Sequence, residues 1–154
     1  MMKILLTQGK AAIIDVVDYD LIRSIKWCAV KNGNNWYAKH KTIYLHRFLL
    51  NPKSNEECDH INGDGLDNRR CNLRIVTSAQ NSMNSQKRPG YTSSRFKGVS
   101  WDKANNRWRA DICVDYKKMY LGLFSDEVEA VKAYNVTASE YFGEYAKLNQ
   151  FTER

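Results

Sequence analysis

No stretch of this chain approaches the roughly 20 consecutive apolar residues that a membrane-spanning helix needs. The opening MMKILLTQGKAAII is interrupted by Gln8, Gly9 and Lys10, and it carries neither the apolar core nor the cleavage site of a signal peptide. Cysteine is sparse. Cys28, Cys58, Cys71 and Cys113 are scattered and form no CxxC pair, whereas structural zinc sites are marked by close ligand pairs. The four thiols therefore read as reduced, and a cytoplasmic protein is expected. The Gly-rich stretch NGDG (62–65) lacks the Glu expected six residues after its glycine in a calcium loop.

What is present is enough hydrophobic matter and a strong charge bias. A chain of 154 residues with 43% hydrophobic content can build one medium domain or two small ones. The net charge of +7 favours an anionic partner, nucleic acid ahead of a membrane surface. The charge is unevenly placed. Residues 87–119 carry nine Lys/Arg against three Asp/Glu, while residues 120–154 carry three against six. A basic segment is thus followed by an acidic one.

Turn chemistry divides the chain into three parts. Near the N-terminus, KILLT (3–7) and AAIID (11–15) read as strands across a Gln8-Gly9-Lys10 turn. Residues 18–25 read as a short helix capped by Asp18. Strands are expected over Trp27–Lys31 and Trp36–His40, joined by NGNN. IYLHRFLL (43–50) passes from strand to helix or stays in one of them; periodicity leaves both open, and Asn51-Pro52 ends it. The middle part, 58–84, reads as strand, Gly-rich loop, strand (LRIVT) and helix (SAQNSMN, capped by Ser78). Residues 87–95 read as a basic linker whose cations Lys87, Arg88 and Arg95 can lie along phosphates. The last part reads as three strands, FKGVSW, RWRADICV and KKMYLGLF, then a helix from Ser125 to Gly143. That helix turns Ala130, Tyr134, Ala138 and Tyr141 toward the sheet.

The most informative residues lie in CDHINGDGLDNRRCNLRIVTSAQN (58–81). Asp59 and His60 are adjacent, Asn72 follows thirteen residues after Asp59, and Asn81 nine after that. An adjacent carboxylate and imidazole can divide labour, the first holding a cation and the second taking a proton from water. The plain alternative is a Gly-rich loop beside a core histidine. DHINGDGLDNRR, then NLR, then QN resembles the core of HNH, or ββα-metal, endonucleases, in the branch where the last His is an Asn. The resemblance implies His60 as general base and Asn72 as the residue fixing its ring. It also implies Asp59 and Asn81 as ligands of one Mg²⁺ (or Mn²⁺) per active site. Arg69, Arg70 and Arg74 flank the motif as phosphate clamps or as surface ion-pair partners. His46 reads as a core histidine, and His40 as a residue near the DNA backbone.

Residues 96–149 resemble the ethylene-response-factor type of DNA-binding domain (the Apetala-two class). The resemblance rests on Lys97-Gly98-Val99, Trp101, Trp108-Arg109-Ala110, Leu121-Gly122, Phe124, Ala133-Tyr134 and Leu148-Asn149. It implies a sheet inserted in the major groove, with Lys97, Trp101, Arg107, Arg109, Lys118 and Tyr120 as DNA contacts. Ser100, Asp102 and Cys113 stand at or near places where plant members carry base-reading Arg, so plant-type specificity does not transfer.

The expected fold class is α+β: a ββα-metal core with an N-terminal β-rich extension (1–86), a basic linker (87–95), and a three-stranded antiparallel sheet packed on one helix (96–150). The order of parts resembles phage and intron-encoded homing endonucleases with an appended DNA-binding domain. The expected activity is metal-dependent hydrolysis of double-stranded DNA in a bacterial or phage-infected cytoplasm, with no membrane partner. The expected state is a monomer, or a dimer if both strands are cut. The rival expectation is a DNA-binding regulator whose nuclease-like half is only a scaffold.

Overall fold

Strand alternation and turn chemistry build the N-terminal elements as expected. β1 (Met2–Leu5) and β2 (Ala11–Ile14) pair antiparallel with Met2 opposite Ile14. Gln8 and Gly9 take positive φ in the turn between them. A short 3-10 turn over Val16–Asp18 leads into α1 (Tyr19–Ile22). Asp18, expected as a helix cap, makes no capping hydrogen bond. Its carboxylate is 1% exposed and receives the Arg70 guanidinium instead. β3 (Cys28–Asn32), β4 (Asn35–His40) and β5 (Ile43–Tyr44) form one antiparallel sheet in that order. IYLHRFLL changes from strand to helix after Tyr44: α2 (Leu45–Leu50) ends at Asn51, whose left-handed conformation stops the helix before Pro52.

β6 (Glu57–His60) and β7 (Leu73–Val76) pair antiparallel, and α3 (Ser78–Asn84) follows directly. The cap of α3 is Thr77, one residue before the expected Ser78. Thr77 Oγ1 accepts from Gln80 N while Gln80 Oε1 accepts from Thr77 N, a reciprocal box that satisfies two exposed backbone donors. The core of this part joins Ala12 and Ile14 of β2, Trp27, Ala38 of β4, Leu45 of α2 and Leu73 of β7.

Further along, β8 (Val99–Asp102), β9 (Arg107–Val114) and β10 (Lys117–Phe124) form a sheet with β9 in the centre. Asn106, Asp115 and Tyr116 supply the left-handed residues of its two turns. α4 (Glu127–Phe142) packs on one face, with Asp126 accepting from Val128 N and Glu129 N as its cap. Ala130, Tyr134 and Ala138 are buried as expected, but Tyr141 is 53% exposed and Phe142 takes the core place. A phenol keeps its hydroxyl in water where a neighbouring phenyl ring can fill the apolar site. Gly98 cannot be replaced: at φ +75° its missing Cβ leaves the space that the Tyr134 ring occupies.

The computed structural model describes residues 1–87, 90 and 92–151. The chain divides into two compact units, Met1–Asn81 and Ser82–Arg154, so the boundary falls inside α3 rather than after residue 86. Much of the expected linker belongs to the second unit. Lys87 Nζ donates to Phe96 O and Val99 O, and Ser93 Oγ accepts from Trp101 N. Arg88 lies outside the described residues.

His46 on α2 is buried and stacks on Tyr44 at 5.5 Å between ring centroids. Burial pushes its pKa down to about 3, with the charges of His60 and Arg47 acting in the same direction. The folded chain therefore keeps this ring neutral, while the unfolded chain protonates it near pH 6.5. Stability from this source is complete above about pH 6.5 and is lost as the pH falls toward about 3. The melting temperature should drop between pH 7 and 4.5, and His46→Phe should flatten that drop. An unchanged pH slope in the variant would show that His46 does not carry it.

Candidate active site

Successive residues of a strand face opposite sides, so β6 presents Glu57 and Asp59 on one face and Cys58 and His60 on the other. Asp59 is opposite Arg74 in the register, and His60 opposite Leu73. Arg74 donates through Nε (3.0 Å) and Nη2 (2.8 Å) to Asp59 Oδ2. On the same face, Glu57 Oε2 accepts from Nδ2 of Asn81, which sits one turn into α3. Asp59 and Asn81, the two expected metal ligands, thus stand beside one further carboxylate and one guanidinium.

His60 closes the strand on the other side. Its ring is 6% exposed and lies among Tyr37 (5.9 Å between centroids), His46 (4.8 Å) and Asn68. Burial lowers its pKa, opposed by the Asn68 hydrogen bond and by the charges of Asp59, Asp64 and Asp67. The imidazole is therefore neutral at neutral pH, the state a general base requires. Asn68 Oδ1 is 3.5 Å from Nε2, and Asn68 Nδ2 faces Gly65 O. With that amide oxygen accepting, Nε2 carries the hydrogen and Nδ1 keeps the lone pair.

Asn72 does something other than expected. Its Oδ1 accepts from Asn62 N (3.0 Å), and its Nδ2 donates to Asn62 Oδ1 (3.0 Å) and Asp67 O (2.7 Å). The expected hold on His60 is corrected accordingly: Asn68 meets the ring, and Asn72 folds the loop that carries Asn68. That loop is tied down at other points. Ile13 N donates to Leu66 O, Asn68 N donates to Ile13 O, and Asn35 Nδ2 donates to Gly63 O. Gly65 packs so closely on Trp36 O and the Tyr37 ring that a Cβ would overlap both.

The three arginines of the motif are ion-pair partners. Arg69 makes a two-pronged pair with Asp67 (2.7 and 2.6 Å), which holds that carboxyl below the usual range. Arg70 pairs with buried Asp18 at 2.7 Å and Arg74 with Asp59 at 2.8 Å. Of the two roles open to them, the ion pair is the one the folded chain shows, and Arg69 and Arg70 keep part of their side chains exposed. Neither Asp18 nor Asp67 was marked as a partner by its spacing, since Asp18 is remote in sequence and Asp67 reads as a turn residue.

In the second unit the sheet face away from α4 carries Arg107, Arg109, Asp111, Lys118 and Tyr120. Arg109 and Lys118 both pair with Asp111, at 2.9 and 3.1 Å, and the Arg109 guanidinium lies 5.0 Å over the Tyr120 ring. Tyr120 is 54% exposed. Three other expected DNA contacts are corrected. Trp101 is opposite Trp108 in the register and meets it edge-on at 5.0 Å, which places it on the helix side. Lys97 Nζ donates to the carbonyls of Ser82, Met83 and Ser85, and burial with Lys147 nearby pushes its pKa down to about 8. Lys87 is held by Phe96 O and Val99 O. Arg95 remains exposed, stacked over the Phe96 ring.

The donor chemistry of Asp59 and Asn81 fits a hard divalent cation, since both offer oxygen. Among the described residues no three of His, Cys, Asp and Glu gather as a cage. A cation held here would therefore complete its shell with water and phosphate oxygens.

The HNH endonuclease family profile matches residues 37–83, which contain His46, β6, the loop, β7 and nearly all of α3. An uncharacterized HNH endonuclease of Acanthamoeba polyphaga mimivirus is 30% identical over 149 residues, spanning 93% of this chain and 76% of that protein. Protein 3.8 of Escherichia phage T7 is 33% identical over 90 residues, 58% of this chain and 73% of its own length. A rice AP2/ERF and B3 domain-containing protein is 44% identical over 57 residues, 37% of this chain and 15% of that protein. With the match to the mimivirus protein running along most of both chains, and the family profile lying over the strand pair that carries Asp59 and His60, this chain belongs to the HNH endonucleases.

Proposed function

We propose that this endonuclease is a metal-dependent, homing-type enzyme that hydrolyses double-stranded DNA, with a ββα-metal centre in β6, β7 and α3. The observation that carries the reading is the division at the end of β6. Asp59 and Asn81 offer oxygen on one face, and a neutral, Asn68-held His60 stands on the other. In-line displacement at phosphorus needs a base where water attacks and charge relief where the other oxygen leaves. A phosphate at the strand end would be flanked in that way.

Each residue then has a task. His60 would take a proton from water at Nδ1, with Asn68 holding the ring by Nε2. Asp59 and Asn81 would hold Mg²⁺ or Mn²⁺, and the cation would supply electrostatic relief to charge developing on the leaving oxygen. Arg74 keeps the Asp59 carboxylate in place. Tyr37 and His46 pack against the imidazole, and its burial favours the neutral form.

The second unit would act as the DNA anchor, read as an ethylene-response-factor-type module. Its support is the three-stranded sheet with Arg107, Arg109, Lys118 and Tyr120 on one face, together with the similarity to the rice protein. Asp111 at the centre keeps Arg109 and Lys118 upright. Few arginines remain available for base reading, so phosphate charge should dominate binding. A reader tethered to a small nuclease raises the effective concentration of DNA at the catalytic centre.

His60→Ala should abolish plasmid nicking in Mg²⁺ while leaving DNA binding in EDTA unchanged; wild-type nicking by that variant would remove His60 as the base. Replacing Arg107, Arg109 and Lys118 together by Ala should weaken binding and reduce the salt slope by roughly 2–3 units of log K per log salt. An unaltered slope would take this sheet face out of the interface.

A further inference from the structure

The Asn81 side chain has two unlike ends, and only the oxygen end can ligate a cation. An amide turns over at little cost when nothing distinguishes its ends, and the wrong end would present N–H groups to a positive ion. At this position something does distinguish them. Glu57 Oε2 lies 2.5 Å from Asn81 Nδ2. A carboxylate has no proton to give, so only the NH₂ end can make this contact, and the oxygen end must point the other way. The backbone is fixed as well: Asn81 N donates to Thr77 O within the first turn of α3, which the Thr77–Gln80 box closes. Glu57 and Asp59 are two residues apart on one strand face, so this constraint acts beside the other expected ligand.

We propose that Glu57 is a positioning residue that sets the amide of Asn81, presenting Oδ1 to the divalent cation and keeping Nδ2 away from it. This rests on the assignment of Asp59 and Asn81 as the cation's ligands. Glu57 makes a charge-assisted hydrogen bond, stronger than a neutral one, to a ligand rather than to the ion. The chain thereby gains in its Asn ligand the orientation that a histidine ring would otherwise obtain from its second nitrogen.

The test is an Mn²⁺ titration of the full chain followed by electron paramagnetic resonance, which reads binding without turnover. Glu57→Ala should weaken Mn²⁺ by about 10–100-fold, as expected for loss of a residue that orients a ligand. Glu57→Gln keeps the size of the side chain but adds an NH₂ end that can donate to Asn81 Oδ1. It no longer distinguishes the two ends of that amide and should lose affinity as well, while its unchanged melting temperature controls for misfolding. The decisive comparison uses Asn81→Asp, whose two oxygens are alike and need no orienting. In that background Glu57→Ala should cause no loss. Equal losses in both backgrounds would make Glu57 a ligand or a general source of negative charge, and would overturn the proposal; so would an undiminished affinity in Glu57→Ala alone. Asp59→Ala separates the two levels. If it abolishes Mn²⁺ binding while Glu57 variants bind normally, only the role of Glu57 fails. If it leaves binding intact, the metal-site assignment itself fails.

Discussion

One side-chain amide folds the loop that delivers Asn68 to the His60 ring. Asn72 closes on Asn62 through both of its ends and reaches the Asp67 carbonyl as well, so residues 62–67 are gathered around it. The loop could not otherwise be buried, because it would carry backbone groups away from water without partners. Once gathered, it docks on the edge of β2 through Ile13 and on β4 through Asn35. Gly65 then lies flush against the Tyr37 ring, and Asn68 is delivered to His60. The N-terminal hairpin, remote from the motif in sequence, is thus one wall of the loop that carries Asn68.

The basic character of the chain is less available than its net charge suggests. Arg69, Arg70 and Arg74 balance Asp67, Asp18 and Asp59, and Lys87 and Lys97 satisfy backbone carbonyls. Such pairs place side chains more than they attract a partner. Removing the Arg70 guanidinium would leave the Asp18 carboxylate buried without its counter-charge, the costly half of breaking such a pair. What remains for an anionic ligand includes the sheet face of the second unit, exposed Arg95 and exposed lysines of the first unit such as Lys26, Lys31, Lys41 and Lys53.

Much of this was legible in the sequence where a local rule decides. Alternation and turn residues marked the strand pairs, Asn51 ended α2, and the DH pair marked the end of β6. Strand parity also carried the information that Trp101 falls with Val99 on the packed face. The cap of α3 was displaced by a residue, to Thr77, because neighbouring hydroxyl residues can both cap and only backbone geometry selects one. The choice between Asn68 and Asn72 was not legible. Both are short amides in one loop, and the docking on β2 decides which reaches the imidazole. The place of His46 beside His60 was hidden for the same reason, since α2 meets β6 only in the folded chain. Glu57 could have been found: it shares a strand face with Asp59, two residues away.

In the proposed centre the oxygens of Asp59 and Asn81 jointly hold one divalent cation beside a neutral His60. Crystals of the His60→Ala protein with duplex DNA and Mn²⁺, measured for anomalous scattering, test it most directly. One peak is expected, in ligating contact with Asp59 and Asn81 oxygens and with a phosphate oxygen, on the Glu57 side of β6. A peak elsewhere, or an Asn81 turned to offer its nitrogen, would contradict it.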